Sequence, residues 1–284
     1  MIQDIAPHIF ENTFSDRAPT AADAVLFYEG DSVLAQTADG VLTLPTVADF
    51  PDVQPEQLQF LFLEDQVGYY LLEAACAAPE GFGPVSTRDY RNMAPQETAF
   101  ACAVGESLRR WYRGNRFCGR CGGPMEKSQI ERAMVCPACN NTVYPKICPA
   151  VIVAITDGER LLLTKYAGRA FARYALVAGF AEIGESIEDT VYREVLEEVG
   201  LRLKDLRFYK SQPWVFTDCL LMGFYARLDG TDAVTLQESE LAEGTWFLRG
   251  ELPNDHNGIS LTGEMIETFR HGLDPYSLEL SKNT

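Results

Sequence analysis

Three carboxylates crowd one short stretch of the chain: Glu194, Glu197 and Glu198 in REVLEEVG. Successive helical residues turn by about 100°, so Glu194 and Glu198 stand nearly one above the other and Glu197 lies one step aside. Like charges at this spacing oppose a helix slightly, and the only local compensation is Arg193. A structural helix therefore gains little from the arrangement. Hard divalent cations such as Mg²⁺ and Mn²⁺ gain much more, because they favour carboxylate oxygens and one rigid face presents several. A solvated acidic face is the plainer account of most charge runs, and here the fixed spacing weighs against it.

A second set of chemically competent residues is FCGRCGGPMEKSQIERAMVCPACNNTVYPK. Cys118 and Cys121 form one CxxC, and Cys136 and Cys139 form another, with fourteen residues between the pairs. Two such knuckles close a tetrahedral Cys₄ site on one Zn²⁺. Four protein ligands leave no position for water, so this zinc holds structure and does no catalysis. Disulfides are the competing account, disfavoured where thiols stay reduced. Cys76, Cys102, Cys148 and Cys219 show no metal spacing and read as buried neutral thiols.

The elements that position these groups follow from the pattern around them. Ser186 with Asp189 begins a helix as a capping box, and Gly200 stops it. Ile187, Val191, Val195 and Val199 recur every four residues as one stripe to bury. Before it, Val151 to Ile155, Leu161 to Thr164 and Tyr174 to Ala178 read as strands, the last delivering Gly179. After it come Leu206 to Lys210, Leu220 to Leu228 and Thr245 to Leu248, then a closing helix around Gly263 to His271.

The first hundred residues alternate in short runs: Ala24 to Tyr28, Val33 to Ala35, Val41 to Leu44, Leu58 to Leu63 and Gly68 to Leu72. Asp39-Gly40 is a hairpin signal. His8 stands alone there as a surface side chain. Between Pro95 and Arg113 the period turns helical, with Phe100, Val104, Leu108, Trp111 and Tyr112 on one side. The expected fold class is α+β. The expected domains are a mixed α/β domain at 1–113, a zinc ribbon at 114–147 and a catalytic domain at 148–284.

At 284 residues and 46% apolar content, the chain can bury a sizeable core. It has no apolar run long enough to span a membrane, no secretory leader at MIQDIAPHIFENTF, and no organelle address in LELSKNT, so a cytoplasmic location is expected. A net charge of −17, from 24 Lys+Arg against 41 Asp+Glu, argues against a general nucleic-acid binder.

Gly179, Glu185 and Arg193-Glu194-Val195-x-Glu197-Glu198-x-Gly200-Leu201 match every fixed position of the Nudix box. The chain thus resembles the Nudix hydrolases, which implies an α/β/α sandwich and metal-dependent cleavage of a nucleoside diphosphate linked to another group. Ten residues beyond the box, SQPWVFTDC resembles the SQPWPFPxS motif of the NADH pyrophosphatase branch, which also carries a zinc ribbon before its catalytic domain. YPKICPAVIVAI, from Tyr144, resembles that branch's linker from ribbon to first strand. The resemblance is detailed over residues 95–270 and vague over the first ninety.

The resemblance implies that Glu194, Glu198, Glu240 and the carbonyl of Ala178 ligate Mg²⁺ or Mn²⁺, with Glu197 beside them and Glu198 or Glu240 as base. Arg193 then locks the glutamates by bidentate pairing. It implies substrate contacts at Arg88, Glu131, Tyr144, Phe180, Thr262 and the run Gln212, Pro213, Trp214, Val215, Phe216, Thr217, Asp218 and Cys219, with Ser260 near the adenine end. Tyr144 would reach over from the second subunit of a homodimer. The expected reaction is hydrolysis of NAD(H) to NMN(H) and AMP. The alternatives are other dinucleotides such as ADP-ribose or FAD, decapping of NAD-capped RNA, and a non-catalytic zinc-ribbon regulator that senses a nucleotide. Against the motif, Val215 and Thr217 replace prolines and Cys219 replaces a serine. Without the prolines a more mobile loop is expected, and a thiol is a weaker hydrogen-bonding group than the hydroxyl.

Overall fold

A computed structural model describes residues 1–74, 76–168, 173–254 and 258–273; the terminal LELSKNT lies outside them. The chain divides into two compact units, Ile2–Lys146 with Val215–Asp218, and Met1 with Ile147–Trp214 and Cys219–Thr284.

The first unit opens with β1 (Phe10–Glu11), β2 (Ala24–Glu29), β3 (Ser32–Ala38), β4 (Val41–Thr43), β5 (Leu58–Glu64), β6 (Val67–Leu72) and β7 (Gly83–Ser86). They form one sheet in the order β1-β5-β6-β2-β3-β4, with β7 on β3. The expected strands are all present. Val25, Phe27, Phe60, Tyr70 and Leu72 pack together on one core. A short helix α1 (Thr87–Tyr90) precedes α2 (Gln96–Gly114), which buries Phe100, Val104, Leu108, Trp111 and Tyr112 as its periodicity demands. It comes so close to β2 that a Cβ on Gly105 would lie 2.4 Å from Leu26. Beyond it, β8 (Glu126–Lys127), β9 (Met134–Val135) and β10 (Thr142–Val143) make a small antiparallel sheet.

The second unit contains β11 (Cys148–Asp157), β12 (Arg160–Tyr166), β13 (Val177–Phe180), α3 (Ile187–Val199), β14 (Leu203–Trp214), β15 (Cys219–Leu228), β16 (Leu241–Leu248) and α4 (Leu261–Arg270). The sheet runs β14-β15-β11-β12-β16, with β13 on β11. Its central strand is apolar on both faces, and the alternation of a strand explains why. Val151, Val153 and Ile155 meet the α3 stripe of Val191, Val195 and Val199. Ile152 and Ala154 point the other way, toward Leu261, Met265 and Phe269 of α4. The result is the α/β/α sandwich expected. Among the described residues no helix is long and apolar enough to cross a membrane.

The thiols outside the two knuckles divide. Cys102 and Cys219 are buried, as expected, whereas Cys76 and Cys148 are only half-buried. Cys148 lies at the start of β11, directly beside Cys219 in the parallel pairing, where the end of a strand exposes one of two neighbours.

Candidate functional site

In the second unit the acidic cluster is set by three backbone devices. Ser186 caps α3, its hydroxyl accepting from the Asp189 amide. Gly200 stops the helix in the left-handed region, at φ 69°. Beyond it, the Thr235 and Gln237 amides donate to the carbonyls of Val199 and Glu198 at 2.9 and 3.0 Å. That crossing satisfies two otherwise orphaned helix-end carbonyls and carries the chain on to Glu240.

Gly179 on β13 is a requirement of close approach. A Cβ there would fall 1.9 Å from Glu194 Cδ, so the Glu194 carboxylate lies directly against the strand backbone, next to Ala178. Glu194 and Glu198 are both buried, Glu198 at 2% exposure. Glu198 Oε2 has no hydrogen-bond partner. Burial, and then the charges of Glu194, Glu240 and Glu197, push the Glu198 carboxyl up to about 8. Burial raises Glu194 as well, opposed by Arg193. Glu240 is exposed but near enough to repel both buried carboxylates, and it accepts from Gln237 Nε2 at 3.2 Å.

Arg193 holds the cluster differently from the expected lock. Its bidentate partner is Glu185, with Nε to Oε1 at 2.5 Å and Nη2 to Oε2 at 2.9 Å. Only Nη1 reaches Glu194 and Glu197, at 2.8 and 3.0 Å, while Nη2 also donates to the Phe180 carbonyl at 2.8 Å. Glu185 accepts further from the Glu182 amide and the Thr190 hydroxyl, and these donors, Arg193 foremost, hold its carboxyl down to about 2. The sequence marked Glu185 only as a fixed position of the box. Its role was hidden because the two partners are eight residues apart and meet through a loop.

An unpartnered, buried carboxylate oxygen beside three other acids fits a hard divalent cation, whose charge would offset their repulsion. Glu194, Glu198, Glu240 and the Ala178 carbonyl are the groups available to hold one. Phe180, 55% exposed, stands at the end of β13.

SQPWVFTDC is the turn between β14 and β15, with Trp214 paired to Cys219 and Gln212 to Leu221. Gln212 is fully buried. Its amide donates to the Ile259 carbonyl at 2.9 Å and accepts from the Leu261 amide at 2.7 Å, so it fastens the entry to α4. Ser260 caps that helix through the Gly263 amide, and Thr262 sits half-buried in its first turn. Cys219 is buried in the sheet, and Pro213 and Trp214 are half-buried.

The tip, Val215–Asp218, groups with the first unit, and there it is held, contrary to the expected mobility. Asp218, at φ 57°, accepts from Arg110 Nη2 at 2.6 Å and from Ser107 at 2.7 Å. The same Arg110 nitrogen donates to the Val215 carbonyl at 2.8 Å, and the Arg91 guanidinium lies 6.0 Å over the Phe216 ring. Side chains of α2 thus supply the restraint that prolines would have given; Thr217 remains exposed.

In the first unit, the four cysteines come together. Cys118 Sγ lies 3.6 Å from Cys139 and Cys121 Sγ 3.5 Å from Cys136, with all four sulfurs within 4.8 Å of one another. Sulfurs about 2.3 Å from a tetrahedral Zn²⁺ are about 3.8 Å apart, so the set fits zinc. The knuckles are built alike. After each pair the chain turns through the left-handed region, at Gly122 and Asn140. Amides of Cys121 and Arg120 hold the Cys118 thiol down to about 6, while, against the Asn141 amide, burial and the neighbouring sulfurs push Cys139 up to about 12. A metal would thus find one thiolate preformed and displace protons from the rest. Tyr144, 58% exposed, donates to Glu131 Oε1 at 3.1 Å. Arg88 is exposed on α1.

Residues 146–269 match the NUDIX domain family and residues 113–144 the NADH pyrophosphatase zinc ribbon domain. The NAD-capped RNA hydrolase NudC of Pasteurella multocida is 36% identical over 186 residues, covering 65% of this chain and 64% of that protein. That of Pectobacterium atrosepticum is 42% identical over 149 residues, covering 52% and 57%. The chain therefore spans about three fifths of the length of these relatives. A NUDIX hydrolase structure from Nitrosomonas europaea aligns at 24% identity and TM-score 0.48, over 56% of this chain and 94% of that one.

Proposed function

We propose that this chain, which joins an NADH pyrophosphatase zinc ribbon domain to a Nudix hydrolase domain, cleaves the pyrophosphate bond of NAD(H) to give NMN(H) and AMP. The observation that carries the reading is Glu198 Oε2, buried without a partner amid further carboxylates on the box helix. The sequence-level support is SQPWVFTDC downstream of that helix, together with the ribbon match.

In this reading Glu194, Glu198, Glu240 and the Ala178 carbonyl hold Mg²⁺ or Mn²⁺. A divalent cation there supplies charge neutralisation and Lewis acidity toward the phosphates. Arg193, pinned by Glu185, keeps Glu194 and Glu197 from turning away. Glu198 or Glu240 accepts the proton of the attacking water. Phe180 and Tyr144 offer aromatic faces to the nicotinamide, Tyr144 being contributed by the other subunit of a homodimer. Pro213, Trp214 and Thr262, all of the second unit, contact the dinucleotide in this reading. Gln212 is better assigned to fastening the entry to α4 and Cys219 to packing in the sheet, since both are buried. The one zinc per chain is structural, and the enzyme works in the cytoplasm.

A second reading is favoured by the names of the relatives, which are called NAD-capped RNA hydrolases. It uses the same bond, with RNA extending from the adenosine side. Chromatography of products from NADH, NAD⁺, ADP-ribose and an NAD-capped RNA, each with Mg²⁺ or Mn²⁺, separates the cases. NMN(H) and AMP from the dinucleotide support the first reading. Faster release of NMN from the capped RNA supports the second. Cleavage of ADP-ribose with NADH intact overturns both, and no cleavage of any substrate leaves the nucleotide-sensing regulator.

A further inference from the structure

The first unit contains a cavity of 690 Å³ bounded by β2, the end of β6, the last turns of α2 and the ribbon. That volume lies in the usual range for a small-molecule pocket. Its charge runs against the whole chain. In a protein of net charge −17, Arg109, Arg113, Arg116 and Lys127 all line it, against Glu73 as the one acid. Arg109 is neutralised by Glu106, at 2.9 Å. Among the described residues, Arg113, Arg116 and Lys127 form no salt bridge and no side-chain hydrogen bond. Arg113 in the last turn of α2 complements the helix dipole, but that accounts for one cation of three.

The cavity also carries an aromatic platform. Phe117 is 69% exposed, so its ring is available for stacking. Its backbone is fixed, because Phe117 bridges to Pro124 and the Met125 amide donates to the Arg116 carbonyl at 3.0 Å. The Cys118 knuckle follows directly and closes on the Gly123 carbonyl at 2.8 Å. Opposite, Lys127 Nζ lies 5.1 Å over the Tyr112 ring. Lys127 is exposed at the cavity edge, yet partial desolvation by the walls lowers its pKa against the pull of Glu73, and an arriving anion would relieve that. Unpaired cations beside a rigid, exposed ring suit a ligand with both phosphate and a flat base.

We infer that this cavity is a nucleotide-binding site, in which Arg113, Arg116 and Lys127 take a phosphate and Phe117 stacks on a base. The nucleotide is either free or one unit of a single-stranded RNA. The inference rests on the first unit alone and not on the diphosphatase reading, so either can fail without the other.

The test uses full-length, zinc-loaded protein without added divalent metal, and a fluorescently labelled hexaadenylate RNA read by anisotropy. The double variant Arg113→Glu plus Arg116→Glu is expected to bind at least ~10-fold more weakly. Its log Kd against log salt is expected to lose up to about 0.7 in slope, the amount for the one phosphate that these side chains neutralise. Phe117→Ala should weaken binding about tenfold, and Phe117→Leu should match it if the alanine variant loses zinc. Hydrolysis of NADH should be unchanged in all of them. Competition by AMP at concentrations matching the RNA identifies a free nucleotide as the source; its failure identifies RNA. Binding within twofold of wild type in the double arginine variant overturns the site. So does a silent Phe117 substitution with inorganic phosphate competing as well as AMP, because the cavity would then hold an anion without a base.

Discussion

The four cysteines and the four glutamates are both clusters of metal-competent side chains, yet they are built on opposite plans. Each thiol lies within 4.8 Å of every other, on two knuckles of one design. Among the described residues no glutamate group converges so closely. Glu194 and Glu197 lean to Arg193, Glu240 stays in solvent, and Glu198 keeps one oxygen unpartnered. A closed shell has nothing left to react, whereas an open and mutually repelling one has capacity for cation, water and substrate. The difference separates a cluster suited to holding structure from one suited to chemistry.

Breaking the closed shell should have the largest effect. Structural zinc in small domains contributes apparent binding free energies of about 10–16 kcal/mol. Purified protein is expected to contain one zinc per chain, and Cys136→Ser to lose most of it, with new protease cleavage between residues 114 and 147. Elemental analysis and limited proteolysis check this; a zinc-free wild type with an unaltered melting temperature in the variant would count against the ribbon.

Burial alone does not make a carboxylate catalytic, and Glu64 on β5 sharpens that point. It is 6% exposed, has an unpartnered Oε2, and is pushed up from 4.5 to about 7, first by burial and then by Glu97. A raised folded-state pKa means that the folded protein holds the proton more tightly. Its stabilisation is complete below about pH 4.5 and lost as pH rises through about 7. The predicted decline is on the order of 1–3 kcal/mol across that window, after allowance for solvent screening. Chemical denaturation at several pH values should show it, and Glu64→Gln should flatten it while leaving NADH hydrolysis unaltered. An unchanged slope in the variant would assign the decline to other groups.

A smaller effect is expected at the edge of the open cluster. Glu185→Gln removes the charge that pins Arg193 without touching a proposed cation ligand. Groups that orient ligands typically affect activity or metal affinity about 10–100-fold, and turnover is predicted to fall roughly tenfold with the fold intact. Circular dichroism with steady-state kinetics decides it, and activity equal to wild type would show that Arg193 holds its place unaided.

Much of this was legible from the residues. The α3 stripe, its caps and the two knuckles are local patterns, and local patterns survive folding. What escaped was non-local. Glu185 meets Arg193 across a loop, and Arg110 and Ser107 grip Asp218 from more than a hundred residues away. Two lost prolines therefore suggested a mobility that distant side chains remove. Gln212 belongs to a motif read as substrate-facing, but burial and two backbone partners commit its amide to the α4 entry. Spacing identifies which residues could react; it does not say which of them the fold has already engaged.

The most direct test is hydrolysis of NADH in Mg²⁺ or Mn²⁺ by wild type and by Glu198→Gln. The substitution keeps the side chain's size, removes one charge from the open cluster and relieves repulsion on α3, so the melting temperature should hold or rise. Turnover is predicted to fall by at least ~10²-fold, the scale of a lost preorganised electrostatic contact. Turnover within threefold of wild type, in a variant that remains folded, would contradict the assignment of this cluster as the catalytic centre.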